Sequence, residues 1–253
     1  MYTTLAGRRR WTGWIAAALI VLACGTPGPA SAESVAPNDM ARFLAGLPPA
    51  ADSPLAEPAR QTAWRRHAEA MDSAWANLDS RQLARIRAWS ATELIEPNAV
   101  LYYMFSGPDF LYADAFFPAA TTYVLAALEP SGPVPTLGRA QRHNMNDALG
   151  QLRSSLNSIL NFSFFKTREM RTTLGDNTFS GTLPILYIFL ARTGKTIGEV
   201  TFHDIHEDGA LVAPGEGLPR GAAELTRIQF AGSDGGQRSL YYVRTDLSNG
   251  GWR

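Results

Sequence analysis

Two unbroken apolar and aromatic runs, Ala99-Val-Leu-Tyr-Tyr-Met-Phe105 and Thr121–Leu128, constrain the fold most, because neither offers a regular solvent-facing side. Between them lie the turn Ser106-Gly-Pro-Asp109, the segment Phe110–Phe117 and then Pro118, which together read as strand, turn, short helix, strand. Residues 107–120 suffice for a crossover connection, so the two strands are expected to be parallel neighbours buried on both faces. Pro118 disfavours helical geometry at Phe117 and ends the helix there.

The rest of the pattern is helical before these strands and β-rich near the end. From Glu57 to Leu78 the residues Trp64, Ala68, Met71, Trp75 and Leu78 recur at spacings of four and three, one stripe of a helix with Pro58 in its first turn. Asp79 or Ser80 is expected to cap a second helix, Arg81–Trp89. After the Pro/Gly break at 130–135, Leu137–Leu160 places Met145, Leu149, Leu152, Leu156 and Ile159 at helical spacing, and a short helix follows around Phe164–Leu174. Thr182–Ala191 is apolar all round and predicts a buried helix, with Pro184 in its first turn and Gly194 as its left-handed terminator. Glu199–His206, Ala222–Ala231 and Ser239–Thr245, separated by glycine-containing turns, predict an antiparallel meander. The expected fold is mixed α/β. Residues 33–56 are a linker and short helix, 57–95 a helical segment, and 96–253 an α/β body containing the mixed sheet. The chain stops at Gly250-Gly-Trp-Arg253 soon after an apolar strand, so the body is expected to be truncated at its C-terminus.

The N-terminus carries an address. Arg8, Arg9 and Arg10 precede an apolar run, Trp11–Ala23, and Ala30-Ser31-Ala32 supplies a small-x-small cleavage pattern, which together predict a bacterial secretory signal over residues 1–32. Thirteen residues of helix span about 20 Å, too short for a hydrocarbon core of about 30 Å, so no transmembrane span is expected after cleavage. The sole cysteine, Cys24, follows Val21-Leu22-Ala23 and opens a second reading, lipidation at Cys24 with Gly25–Asn38 as a tether. Leu22 is bulky for that motif, which favours the ordinary site. Either route implies a periplasmic or envelope-associated protein. Removal of residues 1–32 takes away three arginines and no acid, leaving 20 Lys+Arg against 23 Asp+Glu, a formal charge of −3. Such a chain lacks the basic excess of a nucleic-acid binder. With ordinary cleavage no cysteine remains for disulfide, thiol or zinc chemistry.

Two constellations stand out. Ser106, Gly107 and Asp109, with Tyr112 and Asp114 close behind, sit where a buried strand gives way to a helix, the position at which open α/β sheets bind ligands. The structural alternative is a turn made by Gly107 and Pro108 with Asp109 or Ser106 capping the helix. No Gly-x-Ser-x-Gly elbow completes a hydrolase there. The second constellation, Phe202-His203-Asp204-Ile205-His206-Glu207-Asp208, is a candidate divalent-metal site through His203, Asp204 and His206. In an extended strand only Asp204 and His206 would share a face, and a polar strand end entering an Asp-Gly turn is the simpler reading. No other cofactor is expected. Gly194-Lys195-Thr196 lacks the upstream glycine of a phosphate-binding loop and follows a helix, so that reading is rejected. His67 and His143 have no acidic partner in sequence and are expected at the surface. The arginines 60, 65, 66, 81, 85 and 87 are expected to form a solvated face.

The run Val100–Pro118, the following Tyr123-Val-Leu-Ala-Ala-Leu-Glu-Pro130 and the late Tyr241-Tyr-Val-Arg-Thr-Asp-Leu-Ser248 resemble a family of exported bacterial proteins with a strand-SGPDFLYA-helix signature. The resemblance covers residues 95–250 and carries no established activity, so it assigns no catalytic roles. Members of that family continue beyond the Thr-Asp-Leu-Ser stretch, which agrees with truncation here. The function expected from all of this is binding of a small molecule or an envelope component. An exported hydrolase, metal-assisted through Asp109, Asp114 and the His203–Asp208 cluster, is the alternative.

Overall fold

A computed structural model of the chain describes residues 35–94, 99–104, 107–138, 144–162 (side chains as far as 157), 179–206, 208–215 and 223–247. Among them the helices are α1 (Pro37–Leu44), α2 (Thr62–Leu78), α3 (Ala84–Glu93), α4 (Phe110–Phe116), α5 (Met145–Phe162) and α6 (Leu183–Arg192). The strands are β1 (Val100–Tyr103), β2 (Thr122–Ala127), β3 (Thr196–Ile205), β4 (Leu211–Val212), β5 (Ala223–Ala231) and β6 (Gln237–Arg244). They form one mixed sheet in the order β1-β2-β6-β5-β3-β4. β1, β2 and β6 run parallel, and β6, β5, β3 and β4 continue as antiparallel neighbours. The protein is therefore of the α/β class, with the crossover through α4 and the C-terminal meander both as expected.

At the centre lies α6, in which every residue from Leu183 to Ala191 is buried. It packs on α1, α4 and β3. Its end is closed as the sequence predicts: Gly194 takes φ +74°, its N–H donates to the Ala191 carbonyl (3.1 Å), and the Lys195 N–H donates to the Leu190 carbonyl (2.9 Å). The core face of the sheet includes Leu101, Tyr123, Leu125, Ile228, Phe230 and Leu240, all buried. There the Phe110 ring meets Tyr123 and Phe230 edge-on at 5.0 and 5.6 Å.

The C-terminal carbonyls of α1 have no partners within their own helix and would be costly to bury bare. Side chains from two other helices reach the last three, and the Phe43 carbonyl also accepts the Gly46 N–H at 3.1 Å. Trp64 Nε1 donates to the Phe43 carbonyl (3.0 Å), His67 Nε2 to that of Leu44 (2.8 Å), and Arg192 Nε to that of Ala45 (2.7 Å). This corrects the surface placement of His67, which is fully buried. The carbonyl demands a proton on Nε2, which leaves Nδ1 to accept from Arg153 Nη1 at 3.1 Å. Both ring nitrogens are thereby fixed in the neutral form.

Several boundaries also differ from expectation. Pro58 belongs to a separate 3-10 turn, Pro58–Arg60, and α2 begins only at Thr62 because Gln61 is extended. Neither Asp79 nor Ser80 caps a new helix. Instead α2 runs through a π-helical turn, Asp79–Leu83, directly into α3. The wider turn carries Leu83 onto the buried side beyond Leu78, where an uninterrupted α-helix would have brought Arg81 or Gln82. Ser80 donates to the Asn77 carbonyl and Asp79 pairs with Arg87, while the six arginines of the basic face are exposed. β1 is buried on one face only: Leu101 and Tyr103 point inward, whereas Val100 (45%) and Tyr102 (69%) are exposed, as suits an edge strand with helices on one side. The stripe Met145, Leu149, Leu152 and Leu156 is buried as predicted, on a helix whose continuous part starts at Met145. His143 and the short helix around Phe164–Leu174 lie outside the described residues, as does the side chain of Ile159.

Burial and two adjacent arginines lower the His67 pKa from 6.5 to about 4, although the Leu44 carbonyl opposes the shift. Between those values the unfolded chain binds the proton and the native state does not, so stability is complete above pH 6.5 and falls as pH drops toward 4. Urea denaturation is expected to show wild type losing about 2 kcal/mol more than His67→Gln between pH 7 and pH 5. Parallel pH profiles for the two proteins would contradict the buried neutral imidazole.

Candidate functional site

At the end of β1 the turn and the helix cap are both formed. Gly107 makes the turn with φ +62°, and Asp109 is the N-cap of α4, its Oδ1 accepting from the Tyr112 N–H at 3.1 Å. The Tyr103 side chain hydrogen-bonds the same carboxyl. Asp109 is buried, and burial raises its pKa from 3.8 to about 8 against the opposing pull of these two hydrogen bonds. Tyr112 is tied to Gln82 through its hydroxyl. Asp114, also buried, pairs with Lys195 Nζ at 2.9 Å and lies within reach of the Tyr123 hydroxyl at 3.1 Å. The candidate carboxylates thus serve different structural contacts, and Ser106 lies outside the described residues.

A cavity of about 470 Å³ opens elsewhere on the same end of the sheet. Register places Phe202 opposite Thr226 and Asp204 opposite Glu224, so these four side chains form a square on the core-facing side of β3 and β5. The segment Ser131–Pro133 and residues Pro214 and Gly215 complete much of the wall. Ser131–Pro133 is held by a backbone crossing against Ser180–Gly181. A Cβ on Gly132 would stand 2.4 Å from the Ser180 carbonyl oxygen, and one on Gly181 would stand 2.3 Å from that of Ser131. The Leu183 N–H donates to the same Ser131 carbonyl at 2.9 Å, which fastens the wall to the start of α6.

Polar capacity in this cavity is only partly used. Asp204 is 5% exposed, and its Oδ2 accepts from the Gly215 N–H at 3.0 Å. Glu224 pairs with Arg244 at 2.8 Å, so the neighbouring guanidinium in the same cross-strand row is taken. Thr226 is 2% exposed, and its hydroxyl has no partner among the described residues. A carboxylate with about four acceptor positions and a hydroxyl able both to donate and to accept therefore border an open space.

Of the proposed metal ligands, only Asp204 presents an inward carboxylate. His203 lies on the opposite face of β3, where its Nε2 meets the Thr201 hydroxyl at 3.0 Å. His206 is exposed beyond the end of β3, in a turn closed by Gly209. Asp208 accepts from the Ala210 N–H at 2.9 Å, and Glu207 lies outside the described residues. Among the described residues no group of three or more His, Cys, Asp or Glu side chains is placed to hold a metal ion. Cys24 and residues 1–32 are likewise outside them, and no described helix is long and apolar enough to cross a membrane.

The cavity lies at the same end of the sheet as the Gly107–Asp109 turn, near the opposite edge. β1 and β3 are separated by β2, β6 and β5, four strand spacings or about 19 Å. Phe202 and Asp204 were within a recognised segment, whereas Glu224, Thr226, Pro214 and Gly215 carried no signal without knowledge of the strand pairing. Comparison of the chain with protein-family models, with curated proteins and with solved structures finds no match in any of the three.

The cap assignment for Asp109 has a pH signature. The unfolded carboxyl ionises near 3.8 while the native one keeps its proton to about 8, so this group's contribution is full below 3.8 and is lost as pH rises toward 8. Asp109→Asn retains a capping oxygen and carries no charge; it is expected to match wild type near pH 4 and to exceed it by a few kcal/mol at pH 7 in chemical denaturation. Asp109→Ala is expected to lose about 0.5–2 kcal/mol near pH 4. A variant Asn protein with no stability gain at pH 7 would show that the native carboxyl is ionised.

Proposed function

We propose that this chain is an exported bacterial protein of the periplasm or envelope that binds a small molecule, and that the cavity between β3, β5 and the Ser131–Pro133 segment is its binding site. The observation that carries the reading is the pairing of a 470 Å³ space, in the size range of small-molecule sites, with a buried carboxylate and a buried hydroxyl that retain free hydrogen-bonding capacity. Its apolar lining, Phe202, Pro133 and Pro214, with a few polar groups, is the usual composition of such sites. Export rests on residues 1–32, where a basic segment, an apolar run and Ala30-Ser31-Ala32 follow in order. The hydrolase reading has less support, since Asp109 and Asp114 are engaged in a helix cap and an ion pair.

Gly215 provides a direct test. Among the described residues a Cβ there meets Asp204 Oδ2 at 4.0 Å and nothing nearer, so a bulky side chain can start from this point of the cavity wall. A thermal-shift screen of amines, sugars, carboxylates and short peptides is expected to give at least one ligand that raises the melting temperature of wild type and not of Gly215→Trp. Ligands that stabilise both proteins equally would place binding elsewhere. Intact-mass measurement on protein from the envelope fraction of a bacterial host is expected to find a chain starting at Glu33. A chain starting at an acylated Cys24 would identify the lipid-anchored form instead, and an unprocessed Met1 would count against export.

A further inference from the structure

If the cavity is the binding site, its polar groups also select the chemistry of what enters. Asp204 is nearly buried, yet among the described residues only its Oδ2 is engaged, and by one neutral donor. Among the described residues no cationic side chain pairs with it; Arg244, in the same cross-strand row, is taken by Glu224 at 2.8 Å. A carboxylate withdrawn from water needs compensation by a cation or several donors, and one backbone N–H is little of either. The Thr226 hydroxyl, diagonally across from Asp204, adds an acceptor at the same depth. Beside them stand the Phe202 ring and two prolines, Pro133 and Pro214, which suit an apolar or aromatic body. An anion would meet Asp204 and Glu224 with no free cation among the described residues to receive it, while a neutral ligand would leave Asp204 under-satisfied.

We infer that this cavity takes an organic cation, a protonated amine or guanidinium on an apolar body, with the charge against Asp204 and Thr226 and the body against Phe202. This rests on the cavity reading above, and the experiment separates the two. Phenethylamine, phenethyl alcohol and hydrocinnamate share an aromatic body and differ in charge at the end; each would be titrated at pH 7 into the full chain by calorimetry. Asp204→Asn keeps an oxygen for the Gly215 N–H but removes the charge, and Gly215→Trp obstructs the space.

The amine is expected to bind about ten-fold tighter than the alcohol, with the carboxylate weakest, and Asp204→Asn is expected to erase the difference between amine and alcohol. Equal binding of all three probes, abolished by Gly215→Trp, would overturn the cation preference and leave the cavity as the site. Binding by none of them, or binding that Gly215→Trp leaves unchanged, would overturn both. Should Asp204→Asn fail to melt cooperatively, the ranking of the three probes on the unaltered chain decides the matter alone.

Discussion

The structure depends on how the buried helix α6 ends. Its last turn must leave the core without stranding carbonyl groups, and Gly194 accomplishes this by turning left-handed. That turn places two cations, Arg192 and Lys195, at the negative end of the helix dipole, facing different parts of the fold. Arg192 reaches the Ala45 carbonyl and Asp72, joining α6 to α1 and α2. Lys195 meets Asp114 beside the Tyr123 hydroxyl, joining α6 to α4 and β2. Side chains at the Lys195–Asp114 contact are only 5% and 10% exposed, so loss of either partner would strand a charge, a penalty of about 3–5 kcal/mol. One short turn thus fixes both the N-terminal helices and the parallel half of the sheet.

From that fixed point the geometry of the other end of α6 follows. Leu183 and Thr182 accept their places from Ser131 and Pro130, whose carbonyls receive their N–H groups at 2.9 and 3.2 Å. The two chain segments cross so closely that only glycine fits at 132 and 181. Tyr242 then reaches the Glu129 carbonyl at 2.8 Å from the neighbouring strand. The segment after β2 is therefore held near the sheet at its start and stands off farther along, over β5 and β3. The cavity occupies that separation.

Much of this fold was legible because burial leaves a strong pattern. The all-apolar segment, its proline near the start and the glycine at its end specify a buried helix and its termination from local residues alone. Parallel pairing of β1 and β2 followed from two apolar runs and the length of their connection. What could not be read was long-range. His67 looked like a surface residue because its partners, Leu44 and Arg153, are distant in sequence and neither is acidic. Lys195 entered only through a rejected phosphate-loop tripeptide, because its partner Asp114 is likewise distant in sequence. The continuous α2–α3 helix was hidden because Asp79-Ser80 has good capping chemistry, and only the need to bury Leu83 favours a π-turn there.

The two aspartates, 109 and 204, show why residue type alone does not mark a site. Both are buried carboxyls bounding the same end of one sheet, and both accept a backbone N–H at 3.0–3.1 Å. Asp109 sits at a helix start, where the backbone supplies its donor and a tyrosine adds another, so its hydrogen bonding is accounted for locally. Asp204 sits within a strand, where the ladder consumes the backbone groups and the side chain must find partners across the space in front of it. Among the described residues only Gly215 answers from that side, and beyond it lies the cavity. The same chemical group is a satisfied cap in one setting and an open acceptor in the other, and the difference comes from what the backbone around it has left to give.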